Sequence, residues 1–486
     1  MKPVYYYLDR QKIIFASEIK AILAHPEVKP KPNKKIIWDY LVTGWLDHSE
    51  ETFLNGIKEL RGGHYLIIQK ECHAWRAKIK IQKYWDLKIQ KISQDEQTNI
   101  AQFQNLFMDS VRLRLRADVP LGTCLSGGLD SSAIVMAINR YLEKEKIEQV
   151  GLWQKTFSAV YGSNYPCDER KFIREVTQKT GAKSYFVVPK GERLAREIKN
   201  LVWYQDLPFL TTSIYAQWNV FRLAHQKKIK VMLDGQGADE LLAGYIGYFG
   251  INFMSLFKKK KFRQLVGEIY YFGRHHPPFW QNLGEILNSS LRAGWLGKRA
   301  TKIFQKNNRA YQVFSADFLQ SQAPPLRQQI YEDFFQNSLY WSLKMNLSAL
   351  LRYEDRNSMA FAIESRVPFL DYRLVEFVFS LPNNYKIRQG ETKWVMRQAL
   401  KGLIPEKILA RQDKIGFATP EEDWLRKGLK RELIACFSSP SFASRGFFKP
   451  KETLDLFGKF LDNKFQDSQL FWRLYCLEIW FRVFID

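Results

Sequence analysis

The chain has 486 residues, enough for two or three domains with separate cores, and its 46% hydrophobic and 26% charged content is that of an ordinary globular protein. No apolar run reaches the ~18 residues of a membrane span, and the opening MKPVYYYLDR lacks the apolar stretch of a secretory signal. The formal charge is +24, with runs at Lys29–Lys35 and Lys258–Lys261. These residues do not gather into one stripe interleaved with aromatics, so the charge reads as background and as attraction for anionic substrates, with no nucleic-acid partner.

In chain order, Val4–Leu8 and Lys12–Ala16 flank Asp9-Arg10 as a hairpin, and Ser17–Ala24 reads as a helix capped by Ser17. Gly62-Gly63 then leads into a strand at His64–Gln69. A first strand at residue 4 leaves no room for partners before it, so residues 1–75 read as the closing part of a domain, with an exposed sheet edge. Residues 76–98 read as a basic linker with a strand-like Lys83–Ile89. From residue 99 strands alternate with helices. The helices are Ile100–Arg116, Ser131–Leu142, Asp168–Thr180 and Ser213–His225; the strands are Pro120–Leu125, Lys155–Tyr161, Lys183–Val188 and Lys230–Leu233. That alternation predicts an α/β fold over 99–486, an open parallel sheet covered by helices on both faces. The chain is helix-rich beyond residue 250, and its apolar end at Phe471–Phe484 reads as a packed terminal helix. Five scattered cysteines (Cys72, Cys124, Cys167, Cys436, Cys476) and seven histidines form no disulfide framework or metal-ligand pattern, which fits reduced thiols in the cytoplasm.

The strongest chemical signal is Leu125-Ser126-Gly127-Gly128-Leu129-Asp130-Ser131-Ser132, between an apolar strand and a helix. The glycines allow close backbone approach, while the Ser131 and Ser132 hydroxyls and the free amides of the first helical turn converge on one spot. That spot suits a pyrophosphate or triphosphate. Asp130 does not favour phosphate by itself, which assigns it to a bridging Mg²⁺. A second string, Leu233-Asp234-Gly235-Gln236-Gly237-Ala238-Asp239-Glu240 through Tyr245, again follows an apolar strand and sets carboxylates at a strand end.

The first string resembles the pyrophosphate loop of the ATP-pyrophosphatase superfamily. Together with the second it closely resembles the synthetase domain of asparagine synthetases. Glu364-Ser365-Arg366-Val367-Pro368-Phe369-Leu370-Asp371 resembles that family's substrate-pocket segment, and Arg411–Phe417 the segment that carries its pyrophosphate-contacting lysine, here Lys414. Residues 1–70 resemble the end of the family's α+β class II glutamine amidotransferase domain. The resemblance implies that ATP lies across Ser126–Ser132, with backbone near Leu125, Ala159 and Asp234-Gly235 around the adenosine. Asp130 and Asp239 would hold Mg²⁺, and Glu364 and Arg366 would face the acid to be amidated. For Arg366 an ion pair to Asp371 or Glu364 stands as an equal alternative. The implied reaction is amidation of aspartate through an acyl-adenylate, with Gln236, Lys414 and Asp239 at the reacting centre.

Two departures qualify this. Many members carry Glu where this chain has Gln236, and an amide is no general base; another carboxylate is therefore the alternative acid, and an inactive remnant acting as an interaction protein the alternative role. The family's glutaminase nucleophile is a cysteine after the initiator Met, whereas Lys2 stands there in this chain. The expectation is no glutaminase activity, with free ammonia used directly or supplied by a second chain, which would pair with the exposed sheet.

Overall fold

A computed structural model describes residues 2–9, 12–70, 77–90, 92, 95–162, 165–277, 286, 309–322, 329–413 and 417–486. Strand β1 (Tyr5–Leu8) lies between β2 (Ile13–Ala16) and β3 (Ile57–Glu59) in an antiparallel sheet, with Tyr5 opposite both Ala16 and Glu59. The first strand is thus central; the open edge belongs to β2, while β3 is bridged on its far side by Glu51. Helix α1 (Ile19–Leu23) is not capped by Ser17. Its first amides donate instead to the Asp206 carboxylate, at 3.0 Å from Ile19 and 3.2 Å from Lys20. A full negative charge brought from elsewhere in the chain suits a helix N-terminus better than a local hydroxyl. The Ser17 carbonyl accepts from Arg356.

β4 (His64–Lys70) and β5 (Ala77–Lys83) form a two-stranded ribbon that straddles residue 75. The expected strand at Lys83–Ile89 is absent, because Lys83 ends the ribbon and residues 84–90 run without regular structure.

The expected alternation follows, with ends shifted by a few residues: α2 (Glu96–Arg114), β6 (Leu121–Cys124), α3 (Leu129–Leu142), β7 (Lys155–Ala159), α4 (Arg170–Thr180), β8 (Lys183–Val187), α5 (Gly191–Gln205), α6 (Ser213–Gln226) and β9 (Val231–Leu233). Then come α7 (Ala238–Leu242), α8 (Gly247–Lys258), α9 (Phe262–His275) and α10 (Leu347–Met359). Helix α5 is an addition to the sequence reading. So is β10 (Glu364–Arg366), which turns the pocket segment into an edge strand. The sheet is fully parallel in the order β10-β9-β6-β7-β8. β6 and β9 are buried along their whole length, as strands covered on both faces must be. A small hairpin of β11 (Ile387–Arg388) and β12 (Glu391–Thr392) leads into α11 (Trp394–Ala399), and α12 (Ser468–Phe484) closes the chain as a buried helix.

Residues 5–57 do not hang from this body as a separate lobe. Tyr5, Ile19, Trp38 and Phe53 share one core with Leu201, Phe209, Trp472 and Trp480. Phe53 meets Trp480 with ring centres 5.5 Å apart, and the Trp480 indole donates to the Asp206 carbonyl at 3.0 Å. Arg356 lies 3.3 Å from the Asp206 carboxylate and Arg352 2.9 Å from Asp47.

The β11–β12 hairpin is entered through Lys386, which is fully buried, its ammonium donating to the Leu381 carbonyl at 2.5 Å. Burial pushes this lysine down to about 7, against an upward pull from Asp333. The unfolded chain keeps the proton to a higher pH than the folded one, so stability rises with pH from about 7 towards the ordinary lysine range. Lys386→Met should be more stable than the parent by about 1–3 kcal/mol at neutral pH. The gain should fade near pH ~10, as read by urea unfolding across that range; a pH-independent difference contradicts it.

Candidate active site

β6 is the central strand of the sheet. From it the chain builds outward through β7 and β8 on one side, and β9 and β10 occupy the other. The carboxyl ends of β6 and β9 therefore flank the topological switch point, where open α/β sheets bind ligands. Both sequence strings leave the sheet there, and Gly235 of the second packs against Asp130 and Ser131 of the first.

The loop Ser126–Gly128 is braced from within. Ser131 Oγ accepts from the Ser126 amide at 3.1 Å and lies 3.1 Å from Ser126 Oγ, which accepts from the Gly128 amide at 3.3 Å. Gly127 has φ +78°, and a side chain there would strike Phe172 and Ile173. Gly128 caps α3 without a side-chain acceptor, leaving first-turn amides for an anion. The buried Ser132 hydroxyl has no partner among the described residues, as a group awaiting a phosphate oxygen would be. Leu125 follows β6 and Ala159 ends the neighbouring β7, with Ser158 Oγ donating to the Leu125 carbonyl at 2.5 Å. Arg411 holds the loop from outside, donating to the Gly127 carbonyl at 3.0 Å and to Glu169 at 2.8 Å. Its segment thus reaches the loop, while Lys414 lies outside the described residues.

Asp130 and Asp239 converge on a residue the sequence reading passed over. Lys393, at φ +55° between β12 and α11, places its ammonium 2.6 Å from each carboxylate, with side-chain exposures of 5% for the lysine and 10% for the acids. A lone lysine after a turn carries no motif signal. The one sequence trace of it is Gly244, where any side chain would overlap Asp239 and Lys393. The oxygen-only donor set fits a hard cation such as Mg²⁺, with the lysine ammonium now at the point of convergence.

Beside the loop, Asp234 follows β9, and Gln236 is partly buried, with no hydrogen bond among the described residues. Glu354 on α10 is buried and accepts from Gln217 and Ser365. Burial, reinforced by Asp234, pushes its carboxyl well above the usual range and favours the neutral acid. A cavity of about 230 Å³ runs past Glu354, lined also by Lys2, Asp355, Ser358, Glu364 and Ser365. Glu364 faces it, but Arg366 is otherwise engaged. Its guanidinium pairs with Glu364 at 2.7 Å and donates to the Arg114 and Arg116 carbonyls at 2.8 and 2.7 Å. Of the two readings open for Arg366, the ion pair to Glu364 is the one present; Asp371 binds Arg114 and Arg373 instead.

Removing the lysine tests the cluster. Lys393→Met should cost about 3–5 kcal/mol of stability, because it leaves two near-buried carboxylates face to face. Millimolar Mg²⁺ should restore part of the melting temperature of the variant and change that of the parent little. Absence of any Mg²⁺ effect on the variant would show that these carboxylates form no cation site.

Residues 102–482 match the family model for asparagine synthase and residues 1–85 that for a glutamine amidotransferase domain. Over 424 residues the chain is 28% identical to asparagine synthetase (glutamine-hydrolyzing) 3 of Bacillus subtilis, covering 85% of this chain and 62% of that protein's length. Asparagine synthetase (glutamine-hydrolyzing) 1 of the same organism is 25% identical, with 100% and 74% covered. Amidase chyE of Penicillium rubens is 23% identical, with 92% and 70% covered. The match to the larger model runs through the phosphate loop, the second string and Lys393 into the terminal helix, and the chain belongs to the asparagine synthase family.

Proposed function

We propose that this chain activates aspartate with ATP and passes the acyl group to ammonia, forming asparagine. The carrying observation is the meeting, at one switch point, of an open phosphate loop and the Asp130–Lys393–Asp239 cluster. A carboxylate oxygen of the acid attacks the α-phosphorus and pyrophosphate leaves. Ammonia then attacks the acyl carbon, loses a proton and expels AMP. The loop amides and the Ser126, Ser131 and Ser132 hydroxyls hold the leaving phosphates, and Lys393 and Lys414 offset their charge. A magnesium ion held by Asp130 and Asp239 would supply further neutralisation. Gln236 orients groups at the reacting centre but takes no proton, and Glu354, held by Gln217 and Ser365, forms part of the cavity wall beside which the acid would sit. Glu364 remains the substrate-facing residue of the β10 segment, and the backbone of Leu125, Ala159, Asp234 and Gly235 surrounds the adenosine.

Ammonia is the nitrogen source in this reading. Cys124, Cys436 and Cys476 are buried, which pushes the last two up to about 12, and Cys167 is also raised. No described cysteine is thereby activated as a nucleophile. The amidotransferase-like residues 1–85 contribute Lys2 to the cavity wall, and the reaction takes place in the cytoplasm, where ATP is available. A second reading, amidation of another carboxylate, is favoured by Gln236 and by the likeness to a protein named as an amidase.

Acid-dependent exchange of label between pyrophosphate and ATP, run without ammonia, tests the assignment. Aspartate should stimulate exchange at least about tenfold over no acid, a margin of ~1.4 kcal/mol. Stimulation by a different acid alone would replace aspartate, and no stimulation by any carboxylate would overturn adenylation.

A further inference from the structure

The run Lys258–Lys261 has no place in the reaction, and the structure gives it neighbours that the sequence pattern did not. It forms the turn between α8 and α9. On α9, Phe262, Val266, Ile269 and Tyr270 fall at helical spacing on one face, with exposures of 54, 67, 38 and 64%. Phe257, 55% exposed at the end of α8, meets the Phe262 ring at 6.0 Å across the basic turn. The opposite side of α9 is anchored: Phe272 is buried against Phe249, and Glu268 accepts from the amides of Gln389 and Gly390 at 2.9 and 3.3 Å. Residues 257–275 contain six Lys or Arg and one acid, and that acid, Glu268, points inward. Lys259 is engaged by Asp333 and Lys258 lies over the Phe334 ring, whereas Lys260, Lys261, Arg263 and Arg274 are exposed without a carboxylate partner among the described residues.

We propose that the exposed face of α9, with Phe257 and the basic turn, is a peripheral membrane-docking surface for anionic phospholipid. Aromatic and aliphatic side chains insert at the headgroup–acyl boundary while flanking Lys and Arg meet phosphate, the arrangement of an interfacial helix. At 14 residues α9 is about 21 Å long, enough to lie along the interface. No helix among the described residues is long and apolar enough to cross a membrane. Charge complementarity selects lipid: the patch has one sign, no outward acid, and an apolar centre that a polynucleotide would leave unused. The inward side of α9 grips the turn three residues before Lys393, so docking would hold the active site close to the bilayer surface.

Co-sedimentation of the whole chain with vesicles provides the test, comparing phosphatidylcholine with phosphatidylcholine containing about one-third phosphatidylglycerol. Binding to the anionic vesicles should be about tenfold or more stronger and should weaken with salt. The triple variant Phe262→Ser, Val266→Ser, Tyr270→Ser should lose it while keeping the parent's circular dichroism and melting temperature, since these side chains pack on nothing buried. Equal binding to both vesicles would overturn the proposal. So would undiminished binding by the triple variant, which marks a charge-only or polynucleotide site. A dimer in solution that the triple variant abolishes would also overturn it, by assigning the face to a second copy.

Discussion

The ammonium of Lys393 between Asp130 and Asp239 is the contact on which the active region depends. It ties together a helix that opens after β6, a helix that opens after β9, and a turn more than 150 residues further along the chain. Two near-buried carboxylates would repel each other without it, and burying their charge unpaired is costly. With it, the phosphate loop and the second string are locked in register before any ligand arrives. Gly244 exists to make room for this contact, and the β11–β12 hairpin delivers the lysine to it.

A second junction, Asp206, does for the whole molecule what Lys393 does for the site. Its carboxylate caps α1, receives Lys20 and Arg356, and its carbonyl holds Trp480. Residues from both ends of the chain are therefore packed into one core, and Lys2 comes to line the cavity beside Glu354 at 2.6 Å from Asp355. The amidotransferase-like segment thus forms part of the wall of that cavity.

What the sequence reveals and what it withholds divide along physical lines. The phosphate loop, the second string and the parallel strands are legible because glycine spacing and continuous apolar runs are local. Lys393, Asp206 and Glu354 are silent in sequence, since each acts through a partner more than a hundred residues away. The Ser17 cap fails for the same reason: a local hydroxyl is outbid by a distant carboxylate. The strand expected at Lys83–Ile89 fails because pairing register, set by β4, decides where a ribbon ends. The charge run at Lys258–Lys261 reads as background until the fold sets Phe257, Phe262, Val266 and Tyr270 around it. Arg366 offers two readings in sequence, and only the carbonyls of Arg114 and Arg116, supplied by the fold, choose between them.

The central claim is that a carboxylate oxygen of the substrate becomes bonded to the α-phosphorus of ATP at the Ser126–Ser132 loop. Turnover with aspartate carrying ¹⁸O in its carboxylates, followed by mass analysis of the nucleotide product, tests it most directly. AMP bearing one ¹⁸O in its phosphate is the predicted result. Unlabelled AMP, or ADP accompanied by labelled inorganic phosphate, would contradict it.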